Sequence, residues 1–459
     1  MRINVLAICP PKCDDQLREV TPELLASSLA KYSRSNKGID SILETIDWND
    51  PDASVDKIFK FVDYGHASIG GMTGGIAITI DDCSMFLAYK IFEISSMVDG
   101  QESSTRYIKM SEDSLIDPNI IGIPDDKREE WYNLMKESYR LYNEEYSRLD
   151  KIAKDNPEVM NIPIDTPEKI KDRIRKNYAL DRARYFIPLA TKTSAAYVMT
   201  ARVWADTIKQ LASLPIKECK IVADMIRTEV AKVAPRLMKH SYPDNASIFQ
   251  ARRMVIGSYN EYDNLPVLNI KDKVWTEVYN NTPSFLDIDE NIHDDFSYKL
   301  NRYSNIGYMT KRMTAKFAFN NIAIAELRDL NRHRTGYKYT SFKPIGFYLP
   351  NEIDHSEYYP FLIQVGKNIH NSYKNKKCSW KSIDNKFEDE FFMYSYLLGH
   401  QVNFEHTTQF DKVIYEIELR TGLGAHFRYA EHMKNVALDI IDKNKIYHDY
   451  INIGTAEPE

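Results

Sequence analysis

The sequence is poor in cysteine, and its five cysteines form no recognisable pattern. Cys9, Cys13, Cys83, Cys219 and Cys378 are odd in number and scattered, and no two of them form a CxxC pair. This pattern favours a reducing, cytoplasmic setting over a disulfide framework or a cysteine-based zinc site. The histidines also lack the spacing of metal ligands, so we expect no metal.

Long hydrophobic runs and a strong charge imbalance are absent as well. No apolar run approaches the roughly 18–20 residues that a membrane helix needs, and the apolar stretch at the N-terminus is too short for a signal peptide. The 60 basic and 66 acidic residues give a net charge of -6, which supplies no general attraction to nucleic acid. We therefore expect neither a membrane nor a nucleic-acid partner, and we interpret the basic segment 169–176 (KIKDRIRK) as a solvated helix face.

Length and composition indicate a folded chain with more than one domain. The 459 residues are 43% hydrophobic and 27% charged, as in ordinary globular proteins. At roughly 100–200 residues per domain, there is room for about two to four domains. A β-branched run predicts a strand over 76–80. Hydrophobic periodicity predicts helices over 54–62, 84–96, 127–154, 193–214, 216–238, 308–332, 356–376, 384–404 and 410–442.

The two halves of the chain repeat a similar order of predicted elements. In each half a helix and a polar cluster precede an amphipathic helix and two C-terminal helices. Residues 256–292 are rich in Asn, Asp, Pro and Ser, which is typical of a connector. We therefore predict an internal duplication, with one unit at 1–255 and a second at 293–459.

Two polar clusters are candidates for binding chemistry. Arg332-His333-Arg334 follows a predicted helix, and three such side chains cannot all face a core without partners. Arginine is the preferred side chain for capture of a phosphate or of a ring that carries carbonyl groups. Residues 102–107 (ESSTRY) place a carboxylate, a hydroxyl and a guanidinium at two-residue steps, on one side of an extended loop. Plain surface clusters are the alternative for both. The isolated Arg184, Arg202 and Arg420 indicate no function by themselves.

Taken together, these clusters resemble the signature of the flavin-dependent thymidylate synthases, the ThyX family. That signature is RHR-x-x-S-x-N-E-x-S-x-R-Y, and this chain divides it between its halves. Residues 101–107 (QESSTRY) keep the tail, with Ile94-Ser95-Ser96 in place of the head, and residues 332–334 keep the head. Further segments resemble the family in the same order along the chain: 65–68 (GHAS), 183–188 (ARYFIP), 201–202 (AR), 347–350 (FYLP) and 419–426 (LRTGLGAH).

The resemblance implies an α+β fold with two units, each a curved, mainly antiparallel sheet wrapped by long helices. It implies reductive methylation of dUMP to dTMP at C5, with FAD as cofactor and with NADPH and methylenetetrahydrofolate as co-substrates. By the same resemblance, the residues that bind FAD are Arg332, His333, Arg334, His66, Ser68 and Arg202. Those that bind the nucleotide are Glu102, Ser104, Arg106, Arg184 and Asp329, and Arg420 is the catalytic residue that polarises the pyrimidine ring.

The residues kept by the two halves are complementary. Family enzymes are homotetramers whose sites lie between subunits, and each half of this chain lacks the residues that the other half supplies. In the first half, Leu211 occupies the position of Arg420. We infer one composite site between the halves and a decayed reciprocal site. Two chains would then form a homodimer with the pseudo-symmetry of a tetramer.

Three positions depart from the family pattern. Asp329 occupies a position where the family commonly has Gln, and Tyr337 and Tyr339 replace the Ser and Asn of the signature. A carboxylate near a phosphate-bearing ligand repels it unless an arginine intervenes. Asp329 therefore favours an alternative within the family, an enzyme that modifies another pyrimidine nucleotide. A non-catalytic nucleotide-binding homologue is the alternative outside the enzyme class.

Overall fold

The computed structural model describes most of the chain. The described residues are 1–8, 12–13, 19–20, 22–59, 75–95, 97–163, 165–232, 237–256, 267–280, 292–374 and 388–456. The predicted site residues His66 and Ser68 lie outside this part, and of Arg202 only the backbone is described. Among the described helices, none combines the length and the apolar character that a membrane span requires.

Helices and antiparallel strands are mixed along the chain, which confirms the predicted α+β class. The described strands are β1 (Arg2–Ile8), β2 (Lys12–Cys13), β3 (Glu19–Val20), β4 (Gly75–Ser84), β5 (Asp99–Glu102), β6 (Lys192–Met199), β7 (Val267–Leu268), β8 (Val274–Tyr279), β9 (Thr314–Ala323), β10 (Tyr337–Thr340), β11 (Gly346–Phe347) and β12 (His400–Gln409). The described helices are α1 (Pro22–Tyr32), α2 (Ile39–Leu43), α3 (Pro51–Phe59), α4 (Met85–Ile94), α5 (Asp125–Asp155), α6 (Glu168–Ala183), α7 (Ala201–Ser213), α8 (Lys217–Ala231), α9 (Asn245–Ile256), α10 (Ile292–Phe296), α11 (Tyr308–Arg312), α12 (Ile324–Leu330), α13 (His355–Ser372), α14 (Phe410–Arg420) and α15 (Phe427–Lys443).

The chain forms two compact units, and each unit is discontinuous. Unit 1 consists of Met1–Tyr142, Phe186–Leu265 and Ser356–Leu398, and unit 2 of Asn143–Tyr185, Pro266–His355 and Gly399–Glu459. Each unit thus contains one segment from the other half of the chain. This differs from the predicted division at 1–255 and 293–459, because periodicity along a sequence does not reveal an exchange of segments.

The sheet of unit 1 has the strand order β1-β4-β6-β5, with every neighbouring pair antiparallel. The two central strands, β4 and β6, are buried along almost their whole length. Helix α4 follows β4 directly and begins at a Ser84 side chain that accepts the N–H of Leu87. Its residues 85–92 are all buried, so this apolar helix forms part of the core.

The sheet of unit 2 has the order β7-β11-β12-β9-β8, and β10 also pairs with β12. All pairs are antiparallel except β7 with β11. In β9, Ala315, Phe317 and Phe319 are buried and alternate with less buried residues. One face of this strand therefore packs on the core.

The two units share one topology. The order β1-β4-β6-β5 in unit 1 corresponds to β8-β9-β12-β10 in unit 2. In each unit a helix follows the first long strand, α4 after β4 and α12 after β9, and two helices follow the second long strand. This correspondence agrees with an internal duplication, which stays a prediction.

Three segments that were predicted as helix contain strands. Residues 192–199, 314–323 and 400–409 form β6, β9 and β12. Strands β6 and β12 lie inside their sheets, and β6 is buried on both faces, so its sequence lacks the alternation that identifies a half-buried strand. In β9 the alternation is present, but the apolar helix that follows it obscured the boundary.

The remaining predicted elements agree more closely with the structure. The helices predicted over 127–154, 84–96 and 356–376 are α5, α4 and α13. The helix predicted over 410–442 is two helices, because residues 421–426 break it with Gly424 at a φ of +77°. Within the predicted connector 256–292, the described residues contain strands β7 and β8.

Candidate functional site

The Arg332-His333-Arg334 segment runs from the end of helix α12 to strand β10 in unit 2. Asn331 closes the helix by donating its N–H back into the last turn. Gly336 then brings the chain against β12, since its φ is +68° and a Cβ at this position would lie 2.1 Å from the carbonyl oxygen of Thr407. Only glycine is compatible with this approach, so helix and strand together fix the segment.

Arg420 is the last residue of helix α14, and two hydrogen bonds fix it to this segment. Its Nε donates to Nε2 of His333 at 2.8 Å, and its Nη2 donates to the carbonyl oxygen of Asp329 at 3.1 Å. Its guanidinium carbon lies 5.2 Å from the centre of the Tyr429 ring. The structure therefore brings together three residues that the sequence assigned to the site.

Glu416 and His406 lie close to His333, and neither was predicted from the sequence as a site residue. The Glu416 Oε2 atom is 3.1 Å from Nδ1 of His406, and its Oε1 atom is 3.7 Å from Nδ1 of His333. Nε2 of His406 is 2.9 Å from the carbonyl oxygen of Thr335. The side chains of Glu416 and His406 are each 1% exposed.

A sequence signal for Glu416 exists, whereas none exists for His406. Glu416 precedes Arg420 by four residues on a predicted helix, and residues at this spacing share a helix face. His406 lies on a strand, and its partners are a carboxylate ten residues away and a backbone carbonyl. Neither relation follows a motif.

Burial and neighbouring charges shift the pKa values of this cluster. Burial lowers the pKa of His333 well below its ordinary value. The Glu416 carboxylate raises this pKa, and the Arg420 charge lowers it. Burial alone would raise the pKa of Glu416, but the contacts with His333 and His406 outweigh it and lower this pKa to about 2. Burial also lowers the pKa of Lys338 to about 8. Near pH 7, Glu416 is a carboxylate and His333 is neutral.

Arg184, a fourth predicted site residue, contacts helix α12 in the same unit. It follows α6 directly, and its side chain is 2% exposed. Its Nη2 lies 3.3 Å from Oε1 of Glu326, and its Nη1 lies 3.7 Å from Oδ2 of Asp329. Two carboxylates therefore neutralise this guanidinium already.

Glu326 is the centre of a second buried network. The Tyr185 hydroxyl donates to Glu326 at 2.7 Å, and burial raises the pKa of Tyr185 well above its ordinary value, so this phenol keeps its proton. Burial also raises the pKa of Glu326, against the effect of Arg184. His426 is fully buried, and its Nε2 lies 3.2 Å from the carbonyl oxygen of Asp181. Through Glu326, this network fixes helix α12 to the segment that contains Arg184 and Tyr185.

The predicted nucleotide ligands Glu102, Ser104 and Arg106 lie in unit 1. Glu102 ends strand β5 and is 2% exposed. The extended geometry predicted for 102–107 does not continue beyond it, because Ser104 starts a turn. Its Oγ accepts the N–H of Arg106 at 3.2 Å, and its carbonyl oxygen accepts the N–H of Ile108 at 3.1 Å. Serine favours such local bonds to the backbone.

Unit 1 has hydroxyl groups at the positions of His333 and Glu416. Thr207 and Glu416 are both the seventh residue of the first helix after the second long strand, α7 and α14. Ser95 and His333 both precede the short strand, β5 or β10, by four residues. The hydroxyls of Ser95 and Thr207 lie 3.0 Å apart. The same two positions are thus in contact in both units, but only unit 2 has ionisable groups there.

Unit 1 also has no counterpart of Arg420. By the same count along α7, Leu211 occupies this position, and it is fully buried. Leu211 therefore belongs to the core of unit 1 and, as an apolar side chain, cannot bind a polar ligand as an arginine would.

The basic segment 169–176 lies on helix α6, where Lys169, Arg173 and Lys176 are exposed. Arg175 pairs with Asp150 and Asp172, both at 2.9 Å. This agrees with the interpretation as a solvated helix face rather than a phosphate-binding track.

Cysteine and metal chemistry have no obvious place in the described residues. Cys83 and Cys219 are free thiols in the core, and burial raises the pKa of each well above its ordinary value. In the ranges that the structure describes, no three His, Cys, Asp or Glu side chains are grouped as metal ligands.

Arg420 is fixed beside the buried His333 and Glu416, and arginine side chains suit the binding of an anionic ligand. Residues 16–236 match the family described as thymidylate synthase complementing protein. A flavin-dependent thymidylate synthase from Clostridium tetani (strain Massachusetts / E88) is 25% identical over 227 residues, which cover 48% of this chain and 83% of the relative. These similarities support an enzyme that resembles thymidylate synthases.

Proposed function

We propose that this protein is a flavin-dependent thymidylate synthase that methylates dUMP reductively at C5. Methylenetetrahydrofolate would supply the carbon, and NADPH would be the reductant. The family of residues 16–236 supports the reaction class. The observation that carries the proposal furthest is the fixed position of Arg420 against His333 and Asp329. A guanidinium held in this way suits a ring carbonyl on which negative charge develops.

The cationic segment after helix α12 fits an anionic cofactor such as FAD. Arg332 and Arg334 are half-buried, and besides burial the charge of Arg334 lowers the pKa of Lys338. An anionic diphosphate would relieve this concentration of positive charge. A bound FAD, once reduced by NADPH, would supply the hydride that completes the methyl group. The residues proposed to hold it are Arg332, His333, Arg334, His66, Ser68 and Arg202.

Arg420 would polarise a carbonyl of the pyrimidine ring. The guanidinium keeps its proton at any physiological pH. Two of its nitrogens are occupied by His333 and Asp329 before a ligand binds, so little reorganisation is needed during the reaction. Its Nη1 has no acceptor within the described ranges, and we propose this atom as the one that faces the ligand.

Arg184 would allow Asp329 to lie beside a nucleotide. An isolated carboxylate would repel the phosphate. Nη1 of Arg184 lies 3.7 Å from Asp329, so the repelling charge is neutralised locally. This supports a role for Arg184 in the nucleotide site through Asp329.

The composite site remains part of the proposal. Arg184 comes from the first half of the chain, whereas Asp329, His333 and Arg420 come from the second, and all four belong to unit 2. We propose that one functional set exists per chain, with Glu102, Ser104 and Arg106 as further nucleotide ligands. We also propose that two chains form a homodimer.

Asp329 favours a second candidate, an enzyme that modifies another pyrimidine nucleotide. A carboxylate only accepts hydrogen bonds, whereas the glutamine common in the family also donates. Asp329 could accept from the amino group of a cytosine as well as from N3–H of uracil. A non-catalytic nucleotide-binding homologue is the candidate outside the enzyme class, and it predicts no stable flavin.

Formation of dTMP from dUMP by the purified protein with FAD, NADPH and methylenetetrahydrofolate tests the proposal. We expect Arg334→Ala and Arg106→Ala, which change different halves of the chain, each to abolish product formation. Arg175→Ala on the solvated helix face is the control and should retain activity. Consumption of dCMP in place of dUMP would support the second candidate. Activity that survives one of the two test substitutions would contradict the composite site.

A further inference from the structure

Two buried side chains beside His333, those of Glu416 and His406, have no role in the proposed reaction. We propose that Glu416 and His406 are positioning residues that hold His333 with its hydrogen on Nδ1 and with Nε2 presented to Arg420. The expected effect of these residues on catalysis rests on the proposed function. The ring protonation states of His333 and His406 are independent of the proposed function, because they are inferred from hydrogen-bond geometry.

His406 has an oxygen atom within hydrogen-bond distance of each of its two ring nitrogens. Its Nδ1 lies 3.1 Å from Oε2 of Glu416, and its Nε2 lies 2.9 Å from the carbonyl oxygen of Thr335. Neither oxygen has a hydrogen to donate while Glu416 is ionised. Both ring nitrogens must therefore donate, which only the imidazolium form can do. The charge of this buried ring is paired with the Glu416 carboxylate, as a buried charge requires.

His333 carries one ring hydrogen. The Arg420 Nε–H is always a donor, and it lies 2.8 Å from Nε2 of His333. Nε2 therefore provides a lone pair, and the hydrogen lies on Nδ1. That atom faces Oε1 of Glu416 at 3.7 Å, which is longer than a direct hydrogen bond. Contacts of this kind often tighten when a ligand binds.

The other charged groups around His333 act against a second proton. Arg420, His406 and Lys338 face this ring from three elements, and Glu416 is the carboxylate that favours protonation. If His333 took up a second proton, its Nε2–H would point at the Arg420 donor. The pair of Glu416 and His406 therefore selects the tautomer without charging the ring.

Unit 1 shows the alternative to this arrangement. At the positions of His333 and Glu416 it has Ser95 and Thr207, whose hydroxyls contact each other at 3.0 Å. Leu211 replaces the arginine in the same unit. The carboxylate is thus absent where there is no arginine to position, which agrees with a role for Glu416 that depends on Arg420.

Nitrogen NMR of the full chain with ¹⁵N-labelled histidine reads these states directly. At pH 7 we expect imidazolium signals from His406 and a neutral ring protonated at Nδ1 from His333. His406→Gln and His333→Gln assign the signals by removing one set each. An imidazolium at His333, or a neutral ring with its hydrogen on Nε2, would overturn the proposal.

Substitutions of Glu416 test its role without a large change in volume. In Glu416→Gln we expect loss of the imidazolium signals of His406 at pH 7 and a gain of the Nε2-protonated form of His333. Glu416→Asp keeps a carboxylate and should restore the imidazolium. Glu405→Gln is the matched control, since Glu405 is the neighbouring residue on β12 but pairs with Lys316 at 3.2 Å. Unchanged rings in Glu416→Gln would contradict the proposal, and the wild-type spectrum decides if that variant does not fold.

Kinetics then separate this inference from the proposed function. Groups that orient a functional ligand typically contribute about 10–100-fold, so we expect Glu416→Gln to lower kcat/KM by about that factor and Glu405→Gln to leave it unchanged. The expected NMR signals without turnover of any pyrimidine nucleotide would contradict the proposed function and support the positioning of His333. Turnover of a pyrimidine nucleotide, together with a His333 ring whose hydrogen is on Nε2, would support the proposed function and contradict the positioning of His333.

Discussion

Replacement of Arg184 by methionine tests the buried charge network of unit 2. Arg184 is 2% exposed and pairs with Glu326, which is fully buried, and with Asp329, which is 17% exposed. Methionine fills much of the space of the arginine stem but supplies no charge. Arg184→Met therefore leaves two carboxylates in the interior without their cation.

The expected loss of stability follows from the burial of these groups. Removal of one partner of a buried ion pair typically costs about 3–5 kcal/mol, because the remaining charge stays uncompensated. Arg175 on helix α6 is the matched control, since it also pairs with two carboxylates, at 2.9 Å each. Those partners, Asp150 and Asp172, are 28% and 52% exposed. We therefore expect Arg175→Met to cost only about 0–1 kcal/mol.

Calorimetric unfolding of the full chain measures both variants against the wild type. We expect the unfolding midpoint to fall clearly for Arg184→Met and barely for Arg175→Met. Equal midpoints for the two variants would refute the reasoning, because burial would then not determine the cost. Circular dichroism at low temperature shows whether each variant is folded before the scan.

The loss in free energy of unfolding caused by Arg184→Met should also depend on pH. Burial raises the folded-state pKa of Glu326, and loss of the Arg184 charge raises it further. A carboxyl group with a raised folded pKa binds a proton on folding, so its penalty is absent below the unfolded pKa of about 4.3. The penalty grows as the pH rises through the folded pKa. We expect a smaller difference between the two variants at pH 5 than at pH 8.

Three further predictions concern other parts of the molecule. Gly336→Ala should lower the thermal unfolding midpoint, with a cost of about 1–3 kcal/mol, because a Cβ would lie 2.1 Å from the Thr407 carbonyl oxygen; an unchanged midpoint would contradict the close approach. Arg420→Lys keeps the charge but loses the two fixed hydrogen bonds, so kcat in an assay with dUMP should fall about 10²–10³-fold. A change in KM alone would argue against transition-state stabilisation by Arg420. Cys83 and Cys219 should resist a thiol reagent until the protein unfolds, because burial raises the pKa of both; rapid labelling located by mass spectrometry would disprove this.

The helices were more predictable from the sequence than the strands. Helix α5 combines an aromatic stripe with a polar opposite face, and its predicted bounds, 127–154, differ from the observed Asp125–Asp155 by two residues or fewer. Strand β6 was predicted as helix because it is buried on both faces, and its small and apolar residues have no period of two. Tertiary pairing decides the conformation of such a segment.

The candidate site was predictable in part. The sequence placed Asp329, His333 and Arg420 in one site, and the structure brings these residues into contact. His406 was missed because its contact with Thr335 depends on the pairing of β10 with β12, which no local pattern encodes. Glu416 was missed although its four-residue spacing from Arg420 on a predicted helix was a usable signal. The exchange of segments that carries Arg184 into unit 2 is likewise a property of packing.

The visible absorption spectrum of the purified protein, after addition of FAD and removal of the excess, tests the central claim most directly. The proposed function predicts that flavin is retained and that its bands shift when dUMP is added. Arg420→Lys should retain the flavin but show a weaker response to dUMP. Flavin bands that do not shift with dUMP but shift with another pyrimidine nucleotide would contradict dUMP as the substrate. A protein that retains no flavin would contradict the proposed function as a whole.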